Sequence, residues 1–233
     1  AHVDTENGEF VWTPLSTPKS FTKTIYGHGF AVKNLTTPLF ASTYATIDAL
    51  HLENVQIVNN DTAIIGSFVN NFYGTMRNCS AEGSLEYNYP SYNEEVASKF
   101  NQINAGGMIG RAKNAVFKNC TNYVDITITA MGDPSIAYRK PIGGFVGLMW
   151  GTTNSLENIT NYGNIYYNEN TTGNVIISAS GILGIAYNDP TNFTKLANCK
   201  NYGTISTPSG SDSNSFSCGG TLSMAGITSG LSY

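Results

Sequence analysis

SLENITNYGNI, residues 155–165, decides how this chain must fold, because nearly the same frame returns 40 residues later. Leu196-Ala197-Asn198-Cys199 repeats the pattern of Leu156-Glu157-Asn158-Ile159, and Asn201-Tyr202-Gly203-Thr204-Ile205 repeats Asn161-Tyr162-Gly163-Asn164-Ile165. The apolar-x-Asn-apolar half recurs with its Asn at 54, 78, 119, 158 and 198, so the spacings are 24, 41, 39 and 40. A glycine-bearing element precedes most copies: Gly106-Gly107-Met108-Ile109-Gly110, Gly143-Gly144-Phe145-Val146-Gly147 and Ser180-Gly181-Ile182-Leu183-Gly184. Ile64-Ile65-Gly66 is a weaker copy, and Gly219-Gly220-Thr221-Leu222 begins another. An alternating stretch such as Val124-Asp125-Ile126-Thr127-Ile128 closes the unit. Self-similarity at a fixed period of this length is the mark of stacked repeats.

Three short strands per unit, always in the same order, predict an all-β fold: a three-faced parallel β-helix (solenoid) of about five coils. A lone coil would leave its strand edges unpaired and its apolar face uncovered until a neighbour stacks on it. Equivalent residues then form ladders about 4.8 Å apart. Asn122, Asn161 and Asn201 should stack, as should Tyr123, Tyr162 and Tyr202, with amide-to-amide bonds and offset ring contacts. Residues 1–20, with Trp12, Pro14 and Pro18, lack the repeat and are expected to cap the first coil. The repeat domain is placed at 21–233, its last coil incomplete, so the tail is either a cap itself or leads into further polypeptide.

Composition agrees. Helix formers are scarce, whereas β-branched, aromatic and turn-forming residues abound. Charged residues make up only 12% of the chain, about half the usual share. A formal charge of −4 with 12 Lys and Arg argues against nucleic acid or an anionic membrane surface as partner. No apolar run approaches the roughly 18–20 residues of a membrane span. The chain opens at Ala1 without a signal-type apolar stretch, as a processed secreted protein or a trimmed piece would.

The GGFVG element, the Asn-bearing strand and the Gly-x-Ile that follows resemble the GLUG-type repeats of adhesin-like bacterial surface proteins. Gly27-His28-Gly29-Phe30-Ala31-Val32-Lys33-Asn34-Leu35 is similar to the opening coil of such domains. The resemblance covers roughly residues 25–228. It implies an extracellular or cell-surface module with a non-catalytic binding or structural role. Its partners would be a glycan, a host or cell-surface protein, or further copies of itself stacked end to end.

An enzyme on this scaffold is the rival expectation, as a lyase or glycosidase would need convergent carboxylates. Asp4, Asp48, Asp61, Asp125, Asp133, Asp189 and Asp212 are scattered, and the one adjacent acidic pair, Glu94-Glu95, sits in a long loop. Gly27-His28-Gly29 reads as a turn. His2, His28 and His51 lack zinc-site spacing, and no nucleophile or phosphate-loop motif is present. No catalytic residue, metal site or cofactor is therefore expected.

Cys79, Cys120 and Cys199 share one slot with Ile159, which makes it a small apolar core position. A Cys79–Cys120 bridge is the alternative, since only those two would lie one layer apart. Seven Asn-x-Ser/Thr sequons occur. Those at Asn78, Asn119 and Asn158 fall on the repeat Asn, where a glycan would strike the next coil. Asn60, Asn170 and Asn192, in expected loops, are the glycosylation candidates.

Loop aromatics remain. One edge carries Tyr87, Tyr89, Tyr92, Phe100, Tyr138 and Phe216, and the other Phe72, Tyr73, Trp150, Tyr187 and Phe193. Tyr89, Tyr92, Trp150 and Tyr187 are the candidate ligand-binding residues, because exposed rings on a rigid frame suit glycan or protein contact. Folding down over the coil edges is their alternative role.

Overall fold

The computed structural model describes residues 12–60, 62–89, 104–131, 139–167, 176–187, 195–206 and 216–219. Among these residues the fold is all-β, without a helix, and the strands pair in parallel throughout. The arrangement is β-helix-like. Three sheets of 6, 12 and 5 strands are each built from segments far apart in sequence. From Ile64–Gly66 onward the chain visits them in a fixed order. Asn104–Gly106 joins the five-stranded sheet, Ile109–Lys113 the six-stranded one and Val116–Met131 the twelve-stranded one. The cycle restarts at Arg139–Gly143, Val146–Trp150 and Ser155–Asn161.

Register explains the repeat. Asn122 pairs with Asn161 and Asn161 with Asn201, as expected from the sequence. Their amides form a buried ladder in which Asn122 Nδ2 donates to Asn161 Oδ1 and Asn161 Nδ2 to Asn201 Oδ1, both at 2.8 Å. Each amide also donates to the carbonyl two residues on, at Val124, Gly163 and Gly203. The second residue of each glycine element belongs to the same device. A Cβ on Gly107, Gly144 or Gly181 would lie 2.0–2.6 Å from the Asn122, Asn161 or Asn201 amide. The first glycine motif is thus the socket for the Asn of the second. Ala81 occupies the slot before Asn122, so Asn122 Oδ1 ends the ladder buried and unbonded.

The apolar-x-Asn-apolar element has another role. Asn54, Asn78, Asn119, Asn158 and Asn198 all adopt a left-handed backbone, with φ of 53–56°. Asn accepts that conformation more readily than other side-chain-bearing residues. It bends the strand between two runs of pairing: Val116–Met131 pairs with Thr75–Arg77 before Asn119 and with Ser80–Tyr89 after it. On the outside, Asn198 donates to Asn158, Asn158 to Asn119, Asn119 to Asn78, and Asn78 to the Asp48 carboxylate, at 2.8–3.3 Å. These are exposed bonds, unlike those of the buried ladder.

One expected equivalence is corrected. Leu52-Glu53-Asn54-Val55 does not stack on Met76-Arg77-Asn78-Cys79. Met76 pairs with Ile47, and Leu52 with Ala81. Ala49, at φ 52°, holds the bend position beside Asp48, while Asn54 bonds to Asn34. Leu15–Ser16, inside the stretch expected to cap the first coil, is itself the edge strand of the six-stranded sheet.

The core is a continuous apolar column. Ile47, Met76, Phe117 and Leu156 are fully buried and in register. Phe117 rests between Phe72 and Phe145, at centroid distances of 5.3 and 5.4 Å. Cys79 and Cys120 are buried free thiols that donate to the Ile47 and Met76 carbonyls, so the bridge is not formed. Burial pushes the Cys120 thiol pKa up.

Candidate functional site

The sequence-derived aromatics divide three ways. Phe72 and Tyr87, expected in loops, are fully buried in the core. Phe72 faces inward on its strand, and Tyr87 reaches the Thr62 and Ala63 carbonyls with its hydroxyl. Tyr92, Phe100, Tyr138 and Phe193 lie outside the described residues, as do Glu94, Glu95 and the glycosylation candidates Asn170 and Asn192. Asn60 is described and exposed. Tyr89 ends a strand opposite Met131, on a different sheet from Trp150. Phe216 begins a strand rather than occupying a loop.

Trp150 and Tyr187 do come together. Lys113, Trp150 and Tyr187 are paired at the ends of successive strands of the six-stranded sheet. Tyr44 and Tyr73 take the equivalent place in the two preceding strands, directly after the paired Thr43 and Phe72. One column therefore reads Tyr44, Tyr73, Lys113, Trp150, Tyr187. The Tyr44 and Tyr73 rings stack at 4.5 Å and 13°. Tyr73 meets the Trp150 ring edge-on at 6.5 Å and 81°. Arg111 Cζ and Lys113 Nζ lie 5.2 and 5.9 Å from the Trp150 ring centre, within cation–π range.

The backbone holds these groups at a corner. Thr17 Oγ1 accepts from the Tyr44 amide and bonds to Thr43 Oγ1 at 2.9 Å. Beyond Trp150 the chain turns at Gly151, φ 107°, where the Asn114 carboxamide fills the space a Cβ would need. Asn114 Oδ1 accepts from the Thr152 amide at 2.8 Å, and Asn154 Oδ1 from the Ala115 amide at 3.0 Å. Arg111 is half-buried and donates through Nε to Asn71 Oδ1 at 2.5 Å. Burial lowers its pKa from the ordinary value. Aromatic surface beside two cations, on a corner fixed by backbone bonds, can stack a flat apolar ring and hold a charge next to it.

Sequence reasoning placed Trp150, Tyr187 and Tyr73 on this edge but missed Tyr44, Arg111 and Lys113. The signal for the cations was available, because aligning Gly110 with Gly147 and Gly184 puts Lys113 opposite Trp150 and Tyr187.

Unlike the half-buried Tyr44, Tyr73 and Trp150, an exposed aromatic row stands on the twelve-stranded sheet. Tyr123, Tyr162 and Tyr202 stack at 4.9 and 5.0 Å, with interplanar angles of 3° and 15°. Their faces are spent on one another, so the row offers ring edges and hydroxyls to solvent.

Several carboxylates are engaged within the frame. Asp48 bonds to Arg77 and Asn78, Glu53 to Lys33 and Glu157 to Lys118. Asp125 accepts from the Asn164 amide at 2.7 Å. Gly27-His28-Gly29 is a turn with positive φ at His28 and Gly29. Among the described residues no group of three or more His, Cys, Asp or Glu could hold a metal ion, and no helix is long and apolar enough to cross a membrane. Comparison of the chain with protein-family models and with curated proteins finds no match.

Proposed function

We propose that the chain is a non-catalytic extracellular or cell-surface binding module, similar to GLUG-type adhesin-like proteins. In this reading the three parallel sheets are the faces of one solenoid of about five coils, and its ligand is a glycan held by the Tyr44–Tyr73–Trp150 column. The observation that carries the reading is that column: rings at one corner of successive strands, fixed by Thr17, Asn114 and Asn154. Rigid ring-bearing side chains lose little entropy when a ligand docks on them. Asp48, Glu53, Asp125 and Glu157 are taken up in ion pairs and backbone bonds, which leaves these four without the freedom that a glycosidase needs in the two carboxyls acting on one bond.

The test is a polysaccharide binding panel on the purified protein, followed by Tyr73→Ala and Trp150→Ala. Central aromatic anchors cost about 2 kcal/mol or more on truncation, so each variant should bind about 30-fold more weakly while keeping its melting temperature. Retained affinity in both variants would refute the site. Polysaccharide cleavage lost on Glu94→Gln or Glu95→Gln would refute the non-catalytic reading.

A further inference from the structure

We infer that the Trp150 column selects acidic polysaccharide, a sugar chain whose carboxylate or sulfate groups meet Lys113 and Arg111 while its rings lie against Tyr73 and Trp150. The inference rests on the binding-module reading above and adds the charge of the ligand to it.

Three observations carry it. First, the column alternates in chemistry. Two tyrosines are followed by the strand bearing Arg111 and Lys113, and then by the indole. Neighbouring parallel strands lie about 4.8 Å apart, so a polymer laid along the column meets the edges of the Tyr44–Tyr73 stack, then positive charge, then the indole. Second, the positive charge is local. The chain as a whole carries −4, and the salt bridges among the described residues are Lys33–Glu53, Arg77–Asp48 and Lys118–Glu157, all on the twelve-stranded sheet and none with Lys113. Third, the two cations are presented differently. Arg111 is half-buried with its fork oriented by Asn71, which suits directional recognition of a carboxylate or sulfate. Lys113, two residues on along the same strand, is exposed and supplies a mobile charge. A peptide ligand has less use for this order, because it lacks flat apolar faces recurring along its length.

The experiment measures affinity of the intact chain for four polymers: a polyuronate, the same polymer after carboxyl reduction, a sulfated galactan and poly-glutamate. The polyuronate, the sulfated galactan or both should bind at least about tenfold tighter than the reduced polymer, the effect of a hydrogen bond to a charged group. That margin should shrink as salt rises. Lys113→Gln should collapse the ratio of acidic to neutral affinity, and Lys113→Arg should restore it. Thermal melting of both variants checks that they fold. Equal binding of the polyuronate and its reduced form, with the galactan no tighter, overturns this inference and leaves the glycan module standing. Binding of none of the polysaccharides overturns both. Binding of poly-glutamate alone overturns the glycan reading in favour of an acidic peptide. An unchanged ratio in Lys113→Gln overturns the role of Lys113.

Discussion

Asn161 is the point at which the repeat can be tested most directly. Replacing it by Ala removes three hydrogen bonds: that accepted from Asn122 Nδ2, and those donated to Asn201 Oδ1 and the Gly163 carbonyl, all at 2.8 Å. Asn161 and Asn122 are fully buried, so water cannot take the lost places. At about 1 kcal/mol net for each bond, the substitution should cost about 3 kcal/mol. The control is Asn158→Gly, which removes two amide bonds of the exposed ladder. There water replaces the partners, and Gly adopts the φ of 55° without strain. Its expected change is within about 0.5 kcal/mol. Urea unfolding followed by circular dichroism gives both numbers from midpoint shifts at constant slope. Asn161→Ala within about 0.5 kcal/mol of the parent, or Asn158→Gly as damaging as Asn161→Ala, would refute the argument that burial, and not the amide repeat itself, sets the energy.

Gly163→Ala should prevent folding or lower the melting temperature by more than 10 °C or so, because its Cβ would sit 2.0 Å from the Val124 carbonyl oxygen; a normal melting curve would show that the neighbouring strands can part. Leu156→Asp should leave the chain unfolded by circular dichroism, since it puts a charge in a fully buried rung at a cost of several kcal/mol. Ala49→Asn should raise stability by about 1 kcal/mol, as Ala49 holds the left-handed bend position that Asn fills in later rungs; a lowered urea midpoint would contradict this. The bond from Asn78, together with that from Arg77, holds the Asp48 pKa below its ordinary 3.8. A depressed carboxylate stabilises the fold above the unfolded-state pKa and ceases to do so as pH falls through the folded one. The stability gap between parent and Asp48→Asn should therefore be full at pH 7 and close below pH 3.8, and a gap constant with pH would count against the carboxylate.

The sequence was legible where a residue's neighbours in the next unit share its chemistry. Asn122, Asn161 and Asn201, the three tyrosines beside them, and the Cys120–Ile159 slot all stand in the register their spacing implies. Legibility failed at Asn54. The apolar-x-Asn-apolar pattern encodes a left-handed bend, and Asn54 does bend at φ 53°. A bend is a local property, however, and stacking depends on which strand the backbone bonds to, so the same four-residue pattern stands in two different columns. Phe72 and Tyr87 failed for another reason. They stand close to breaks in the apolar pattern, where a loop and the end of an inward-facing strand read alike. The site was half legible: Trp150 and Tyr187 stood out as large rings, whereas Lys113 became part of the site only through its register with them.

The two Asn ladders run in opposite senses. In the exposed one each amide donates toward the N-terminal end of the stack and the last meets the Asp48 carboxylate; in the buried one each donates toward the C-terminal end. A peptide-like amide carries a dipole of about 3.5 D, so either row alone would build an axial dipole that grows with every rung, as a helix does. Paired and opposed, the rows largely cancel where they overlap. The one surplus rung of the exposed ladder, Asn78, lies at the Asp48 end, and its positive pole faces the carboxylate, as the N-terminus of a helix often does. Added units would therefore lengthen such a stack without charging its ends.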